Sequence, residues 1–281
     1  MTLLALLTKR VPTPVTILAG PFRGARLILN PAHSKRKILG AYEHVLNPWL
    51  RATLKRVDVV WDVGANDGYF TYGCAAAILA QGRQPHVVAF EPGLDDDALL
   101  EQQLTAPARA WVKAYAGATF EFIPAYVGAN TDTRAVALDV AAADRPALAG
   151  RPALVKVDVE GSEVDVLDGA TQLLRAPTQW LVEVHGDHLL EPVVSRFQAA
   201  QRLVDIHRLK PHWLFGPEAR AILTPSGLWH EGFARAPWNP TRLPARPAVG
   251  AAGRFEQFLD RLGAAGGSLV GSLADGLGDD S

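Results

Sequence analysis

Acidic side chains and a histidine stand near the ends of several apolar stretches in this chain. They are Asp62 in the stretch 59–63, Glu91 after 87–90, Asp158 and Glu160 after 154–157, and His185 after 181–184. Apolar runs of this length are typical of buried strands. Because ligands bind at the carboxyl ends of parallel strands, we expect these side chains to share one site. Carboxylates accept hydrogen bonds or bind cations, and histidine exchanges protons near neutral pH.

The segment after the first of these strands predicts a nucleoside-binding turn. Gly64 and Gly68 can adopt backbone angles that other residues avoid, and the amides of the following helix then face a ligand. A dinucleotide fingerprint is disfavoured because Asn66 and Tyr69 occupy the positions of its second and third glycines. The remaining pattern, Asp-x-Gly-x-x-x-Gly, resembles the first motif of class I S-adenosylmethionine-dependent methyltransferases. A glycine turn without any ligand is the alternative.

Glu91 ends the second apolar strand and is a candidate for binding ribose. It stands about 30 residues after Asp62, further along than the roughly 20 of the NAD fingerprint. An ionised carboxylate accepts two hydrogen bonds at once, which suits a pair of ribose hydroxyls. A solvated glutamate at a strand end is the alternative.

The segment 154–170 places charges on one face of an interior strand. Period-two alternation predicts that Lys156, Asp158 and Glu160 share that face. Such charges must neutralise one another, bind a cation or open into a polar cleft, because burying unpaired charge is costly. Ser162 followed by Asp165 predicts a capping box that begins a helix. A purely structural ion pair between Lys156 and Asp158 is the alternative.

Taken together, these motifs resemble the FkbM-type methyltransferases. The pattern at 156–170 is Lys-x-Asp-x-Glu-Gly-x-Glu-x-x-x-Leu-x-Gly-Ala, and the resemblance extends to Gly-Pro-Phe-Arg-Gly at 20–24, Gly-Ala-Tyr-Glu at 40–43 and the strand at 181–185. It covers roughly residues 17–190. The resemblance implies a class I methyltransferase sheet, S-adenosylmethionine as cofactor, and O-methylation of a sugar, glycolipid or secondary metabolite.

The cofactor contacts that we expect lie in three places: the first turn, the end of the second strand, and two flanking segments. These candidates are Asp62, Gly64, Ala65, Asn66, Gly68, Phe70, Glu91, Pro92, Tyr42, Glu43 and Asn130. Tyr42 and Glu43 belong to a segment that would cap the pocket. Asn130 follows a third strand predicted at 120–127, where an adenine edge would lie.

Catalysis is assigned to the fourth and fifth strands, where an acceptor would meet the methyl group. Methyl transfer to a hydroxyl needs alignment and removal of the hydroxyl proton. His185 is the predicted base, with Asp158 or Glu160 orienting it or the acceptor. Alternatively, these three residues bind a divalent cation such as Mg²⁺ that acidifies a sugar diol. A histidine that only bonds a backbone carbonyl is the third interpretation.

Composition sets bounds on partners and compartment. The chain has 281 residues, 48% of them hydrophobic, and a net charge of −1, which favours one principal domain and gives no basic surface for nucleic acid. We therefore expect a small-molecule or glycan acceptor. Cys74, the single cysteine, is predicted to lie in the core. The apolar N-terminus is too short to span a membrane, and a cytoplasmic location is expected.

The expected fold is an α/β sheet of about seven strands with helices on both faces, its last strands forming an antiparallel pair. Residues 1–56 are predicted as a cap containing a hairpin (16–18 against 25–29) and a helix (42–55), residues 57–235 as the methyltransferase domain, and residues 236–281 as a partly disordered Pro/Gly/Ala-rich tail. The last strands are expected near 203–209 and 221–223. A non-catalytic nucleoside-binding protein and, with less support, a nicotinamide oxidoreductase remain alternatives.

Overall fold

The computed structural model describes residues 3–94, 97–208 and 231–236. The strands are β1 (Thr13–Thr16), β2 (Arg26–Leu29), β3 (Val59–Val63), β4 (His86–Phe90), β5 (Thr119–Ile123), β6 (Tyr126–Val127), β7 (Ala135–Val136), β8 (Ala153–Val157), β9 (Thr178–His185), β10 (Asp205–Arg208) and β11 (Glu231–Ala236). The α-helices are α1 (Leu3–Leu7), α2 (Lys35–Ile38), α3 (Asn47–Thr53), α4 (Tyr69–Leu79), α5 (Ala98–Ala110), α6 (Leu138–Ala143), α7 (Glu163–Asp168) and α8 (Asp187–Ala199).

A seven-stranded sheet in the order β5-β4-β3-β8-β9-β11-β10 organises the described residues. β5, β4, β3, β8 and β9 are parallel, whereas β11 pairs antiparallel with both β9 and β10. The chain leaves β3 towards β4 and β5, and later returns to the other side of β3 with β8. The border between β3 and β8 is therefore the switch point, at whose carboxyl end ligands bind in such sheets.

Both faces of the sheet are covered by apolar packing. On one face, Val60 and Leu154 pack with α4 and the N-terminal hairpin, and Cys74 lies fully buried in this core as predicted. On the other face, Trp61 and Val155 pack with α6, α7 and α8. Adjacent strand residues thus point to opposite cores, as period-two geometry requires. The strand order and the two-sided packing confirm the predicted α/β class I methyltransferase fold.

The N-terminal hairpin is joined to the sheet domain by polar contacts as well as by the shared core. The Tyr115 hydroxyl accepts from the Arg26 amide at 2.9 Å and donates to its carbonyl at 2.6 Å. The Gln103 amide donates to the Ile28 carbonyl at 3.3 Å. α1, ahead of the hairpin, has five residues. No helix in the described part of the chain is long and apolar enough to cross a membrane.

Several predicted elements are shifted or divided. The hairpin pairs residues 13–16 with residues 26–29. The prediction of a single helix over 42–55 is wrong. Glu43 has a left-handed φ of 46°, a 3₁₀ turn follows at His44–Leu46, and α3 begins separately with Pro48 in its first turn. The strand expected over 120–127 stops at Ile123 because Pro124 has no amide to donate. β11 is the observed partner of β10, while residues 221–223 and the tail from 237 lie outside the described residues.

The buried Arg202 fixes the start of β9, the strand that carries Glu183 and His185. Arg202 is 5% exposed, and its guanidinium donates to the carbonyl oxygens of Leu174, Ala176 and Thr178, and to the Thr178 hydroxyl. The planar fork of an arginine matches this set of acceptors, which a lysine cannot reproduce. Burial lowers the Arg202 pKa to about 10.

Arg202→Lys is expected to lower the free energy of unfolding by about 2 kcal/mol, because at least one buried carbonyl loses its donor. The measurement is urea unfolding followed by circular dichroism. Arg196→Lys is the matched control, since Arg196 bonds the exposed Asp168 at 3.0 Å and such surface pairs contribute about 0–1 kcal/mol. Equal losses in the two variants would contradict the role assigned to Arg202.

Candidate active site

The turn between β3 and α4 is built around Gly64. Its φ is +79°, and a Cβ placed on it would lie 1.9 Å from the Asp158 carbonyl oxygen. The amides of Gly64 and Ala65 both donate to the Phe90 carbonyl at 3.0 Å. The turn is thus held against the ends of both neighbouring strands, β4 and β8. Only glycine satisfies the close approach and the backbone angle together.

Glu91 lies beside this turn, as the sequence predicted. Its Oε2 accepts from the Asn66 amide at 2.8 Å, and its Oε1 accepts from the Gly93 amide at 3.2 Å. Each carboxylate oxygen keeps a further lone pair for a ligand hydroxyl. Pro92 begins the 3₁₀ turn Pro92–Leu94, and Gly68 with φ +76° is the N-cap of α4. The expected cofactor-binding turn and acid are therefore adjacent in space.

Asp62 and Asp158 share one buried lysine across the switch point. Asp62 is fully buried, accepts from the Thr71 hydroxyl at 2.5 Å, and has its Oδ1 3.8 Å from the Lys156 ammonium. The same ammonium lies 2.9 Å from Asp158 Oδ2 and 5.5 Å from the centre of the Phe70 ring. Asp62 thus stands behind the turn, where it orients Lys156 and Thr71.

The pKa values around Lys156 follow from burial and charge. Burial alone would lower the Lys156 pKa, but Asp158 and Asp62 outweigh it, so the pKa is raised. Burial would raise the Asp158 pKa, and attraction to Lys156 makes the net shift a lowering. For Asp62 burial prevails and the pKa is raised, although Lys156 and Thr71 oppose it. Lys156 is therefore the charge that opposes the effect of burial on the pKa of both carboxylates.

His185 is held by a buried carboxylate on α7. Glu163 Oε1 lies 2.6 Å from His185 Nδ1 and also accepts from the His185 and Gly161 amides, each at 3.2 Å. The Glu163 side chain has no exposed surface. Burial would raise the Glu163 pKa, but the bond to His185 and the backbone donors lower it. An ionised Glu163 places the ring proton on Nδ1 and leaves Nε2 directed away from it.

Nε2 of His185 faces two carboxylates. It lies 3.5 Å from Asp158 Oδ1 and 3.9 Å from Glu183 Oε1. One ligand atom from each of Asp158, Glu183 and His185 lies within 4.8 Å of the others, so the three residues could hold a metal ion. We call them the acceptor cluster. The predicted proximity of Asp158 to His185 is thus observed.

Glu160 does not belong to this cluster, which corrects the predicted set of Asp158, Glu160 and His185. β8 ends at Val157, and Glu160 lies in the following turn with φ +40° and an exposed side chain. Strand alternation therefore does not extend to Glu160. The capping box is also wrong: Ser162 is the N-cap of α7 but makes no side-chain capping bond.

Tyr42 and Glu43 interact electrostatically with the charged groups of the site. The Tyr42 hydroxyl bonds the Glu43 carboxylate, and charge interactions reach Asp158, Glu183 and Lys156 from this pair. Burial raises the Glu43 pKa to about 7, although Lys156 and the Tyr42 bond lower it. The cap segment thus contributes polar groups where the cofactor and acceptor halves of the site would meet.

Asn130 lies apart from these groups in the described contacts. It is exposed in the loop after β6, and this loop packs against the end of α7, where a Cβ on Gly169 would lie 2.0 Å from the Gly128 carbonyl oxygen. Its assignment to adenine stays a prediction.

Two site residues were not singled out from the sequence, Glu163 and Glu183. Glu183 is two positions before His185 on β9, so period-two alternation could have placed both on one face. Glu163 is one of the fixed positions of the pattern at 156–170, but its contact with the end of β9 arises only through the tertiary fold.

The polar groups of the site suit a reaction in which a nucleoside cofactor transfers a group to an acceptor. On the β3–β4 side, backbone amides and the Glu91 carboxylate suit ribose hydroxyls. On the β8–β9 side, the acceptor cluster offers an oriented imidazole and two carboxylates. These groups can promote the loss of a proton from a hydroxyl, either directly or through a bound cation.

Comparisons with known proteins match parts of this chain to methyltransferases. Residues 125–204 match the family described as "Methyltransferase FkbM domain". The chain is 30% identical over 165 residues to hexuronic acid methyltransferase AglP of Haloferax volcanii, and the alignment covers 54% of this chain and 66% of that protein. The chain thus spans just under two thirds of that relative.

Among solved structures, a methyltransferase FkbM from Methylobacillus flagellatus has a TM-score of 0.45 at 16% identity, covering 64% of this chain and 43% of that chain. An O-methyltransferase from Thermotoga maritima has a TM-score of 0.41 at 12% identity, covering 72% and 66%. The predicted resemblance to the FkbM-type methyltransferases is confirmed, and residues 125–204 are identified as part of a methyltransferase FkbM domain.

Proposed function

We propose that this protein is an S-adenosylmethionine-dependent methyltransferase that methylates a hydroxyl group of a sugar-containing acceptor. The observation that carries the proposal is the position of the Gly64 turn and Glu91 next to the acceptor cluster at the switch point of the sheet. The name of the archaeal relative, a hexuronic acid methyltransferase, supports a sugar acceptor.

The cofactor half of the site is assigned to the first turn and its neighbours. Glu91 would accept hydrogen bonds from the ribose hydroxyls, since its two oxygens are already fixed by the Asn66 and Gly93 amides. Tyr42 and Glu43 would contact the ligand from the cap. Asp62 acts through Lys156 and Thr71, because it has no exposed surface. When bound, the cofactor supplies a methyl group activated on a sulfonium.

The acceptor half is assigned to the acceptor cluster. The reaction is an in-line displacement, so the protein must align the hydroxyl oxygen and assist the loss of its proton. Glu163 holds the His185 ring so that Nε2 faces Asp158 and Glu183. His185 therefore takes the proton itself or serves as ligand to a cation that acidifies the hydroxyl, and Asp158 orients whichever group performs this step.

The first test is thermal unfolding of the purified protein with S-adenosylmethionine, S-adenosylhomocysteine and NAD in parallel. A cofactor at about 100 times its dissociation constant should add about 2.7 kcal/mol to the free energy of unfolding. We expect stabilisation by both sulfur nucleosides and none by NAD. Glu91→Ala should abolish it, whereas Glu101→Gln, on the exposed face of α5, should not.

Methyl transfer is then measured with isotopically labelled cofactor and a panel of neutral and uronic acid glycosides. Incorporation of label that is lost in His185→Asn supports the acceptor half. Stabilisation by NAD alone would favour an oxidoreductase, and sulfur-nucleoside binding without transfer to any hydroxyl acceptor would favour a nucleoside-binding protein.

A further inference from the structure

We propose that the acceptor cluster binds a divalent transition-metal ion through Asp158 Oδ1, Glu183 and His185 Nε2. The ligand set rests on geometry alone, whereas the role given to the ion rests on the proposed function. The site differs from the cation site considered from the sequence, because Glu183 replaces Glu160.

The distances favour an ion over a shared proton. Nε2 lies 3.5 Å from Asp158 Oδ1 and 3.9 Å from Glu183 Oε1, both longer than an N–H···O hydrogen bond. An ion bound at about 2.0–2.2 Å from nitrogen and oxygen ligands separates neighbouring ligand atoms by roughly 3–4 Å. The two distances from Nε2 fall in this range, and the three ligand atoms all lie within 4.8 Å of one another.

His185 and Asp158 are each oriented by a partner that leaves the required atom facing the cluster. Glu163 takes Nδ1 of His185 at 2.6 Å, which is the carboxylate–histidine arrangement found behind metal-ligating imidazoles. Lys156 takes Oδ2 of Asp158 at 2.9 Å and leaves Oδ1 towards His185. Glu183 is 5% exposed and held on β9. Such outer partners are the part of a metal site that a chance grouping of acids lacks.

The local charge favours a cation as well. Three carboxylates, those of Asp158, Glu163 and Glu183, surround His185, whereas Lys156 is shared with Asp62 and Lys37 acts on Asp158 only as a further nearby charge. A divalent ion would offset this excess of carboxylates in a region where water screens poorly. Asp158 and His185 keep 27% and 19% of their side-chain surface exposed, so the remaining positions on the ion open to the cleft.

The ligand types indicate which ion. Mg²⁺ and Ca²⁺ favour oxygen ligands, whereas an imidazole with two carboxylates suits Mn²⁺, Fe²⁺ or Zn²⁺. The ion would bind the acceptor hydroxyl oxygen and ease the loss of its proton to water. The oxygen then forms its bond to the methyl carbon as the carbon–sulfur bond breaks and its electron pair stays on sulfur.

The test uses the full-length protein, freed of metal with a chelator and titrated with Mn²⁺ by calorimetry and electron paramagnetic resonance. We expect one Mn²⁺ per chain, bound more tightly than Mg²⁺, with a nitrogen coupling that reports the imidazole. Asp158→Asn and Glu183→Gln should abolish binding. Glu163→Gln should weaken it about 10- to 100-fold, as expected for an outer partner. The surface carboxylate variant Glu101→Gln should bind like the wild type.

Parallel binding of S-adenosylhomocysteine separates this inference from the proposed function. If metal-free protein binds S-adenosylhomocysteine but binds no Mn²⁺, or binds it without nitrogen coupling, the proposed metal site is overturned. The methyltransferase proposal is then left intact. If the protein binds Mn²⁺ with nitrogen coupling but binds neither sulfur nucleoside, the metal site is supported and the proposed function fails. The nitrogen coupling is read on wild-type protein, so the result does not depend on whether a variant folds.

Discussion

Gly64→Ala is expected to destabilise the protein by about 2–5 kcal/mol and to abolish binding of sulfur nucleosides. A left-handed backbone costs a residue with a Cβ about 1–2 kcal/mol, and forcing an extra methyl into a packed region adds about 1–3 kcal/mol. Here the Cβ would lie 1.9 Å from the Asp158 carbonyl oxygen, a backbone atom that cannot move without displacing the end of β8. The same displacement would disturb Asp158 and the turn that faces the cofactor.

The matched control for this variant is Gly82→Ala. Gly82 has φ +73°, close to the +79° of Gly64, but a Cβ there meets nothing within 4 Å. Only the conformational cost of about 1–2 kcal/mol should appear, with nucleoside binding unchanged. Urea unfolding gives the stabilities, and calorimetric titration with S-adenosylhomocysteine gives the affinities. Similar behaviour of the two variants would show that the approach of Gly64 to Asp158 is not what the turn requires.

The sequence predicted the part of the site that depends on strand geometry. The apolar runs identified β3, β4, β8 and β9, and parallel strands bring their carboxyl ends to one edge, so Asp62, Glu91, Asp158 and His185 were placed in one neighbourhood. Alternation correctly put Lys156 and Asp158 together at 2.9 Å. It failed at Glu160, because β8 ends at Val157 and the left-handed backbone of the turn breaks the period.

The remaining parts depend on contacts between distant segments. The Glu163–His185 bond joins residues 22 positions apart, and no local pattern reports how the start of α7 meets the end of β9. Tyr42 and Glu43 precede a 3₁₀ turn and then α3, where the sequence predicted one helix, because Glu43 has a left-handed backbone. Asp62 was expected to contact the ligand, but its full burial follows from the cores on either side of β3.

Lys156→Met is expected to destabilise the protein by about 3–5 kcal/mol at pH 7.5, because it leaves buried carboxylates without their cation. Methionine keeps much of the lysine's length, so lost packing contributes little. The largest loss of stabilisation is expected at Asp62, because its carboxylate is fully buried. Without Lys156 it keeps the hydrogen bond from the Thr71 hydroxyl but has lost its neighbouring cation. The measurement is urea unfolding with a chelator present, which excludes compensation by a bound ion.

The pH dependence identifies charge as the cause of that loss. Burial already raises the Asp62 pKa above its ordinary value of 3.8, and removing Lys156 should raise it further. Between pH 3.8 and the raised pKa, the folded variant holds a proton that the unfolded chain has released, so stability must fall as the pH rises through this window. The deficit in stability relative to wild type should therefore shrink as the pH is lowered from 7.5 towards 4.5.

Lys156→Met combined with Asp62→Asn should recover part of the stability at pH 7.5, because an uncharged amide replaces the unpaired carboxylate. A deficit that is independent of pH and unrelieved by Asp62→Asn would mean that Lys156 acts through packing over Phe70 and not as the shared cation of the switch point.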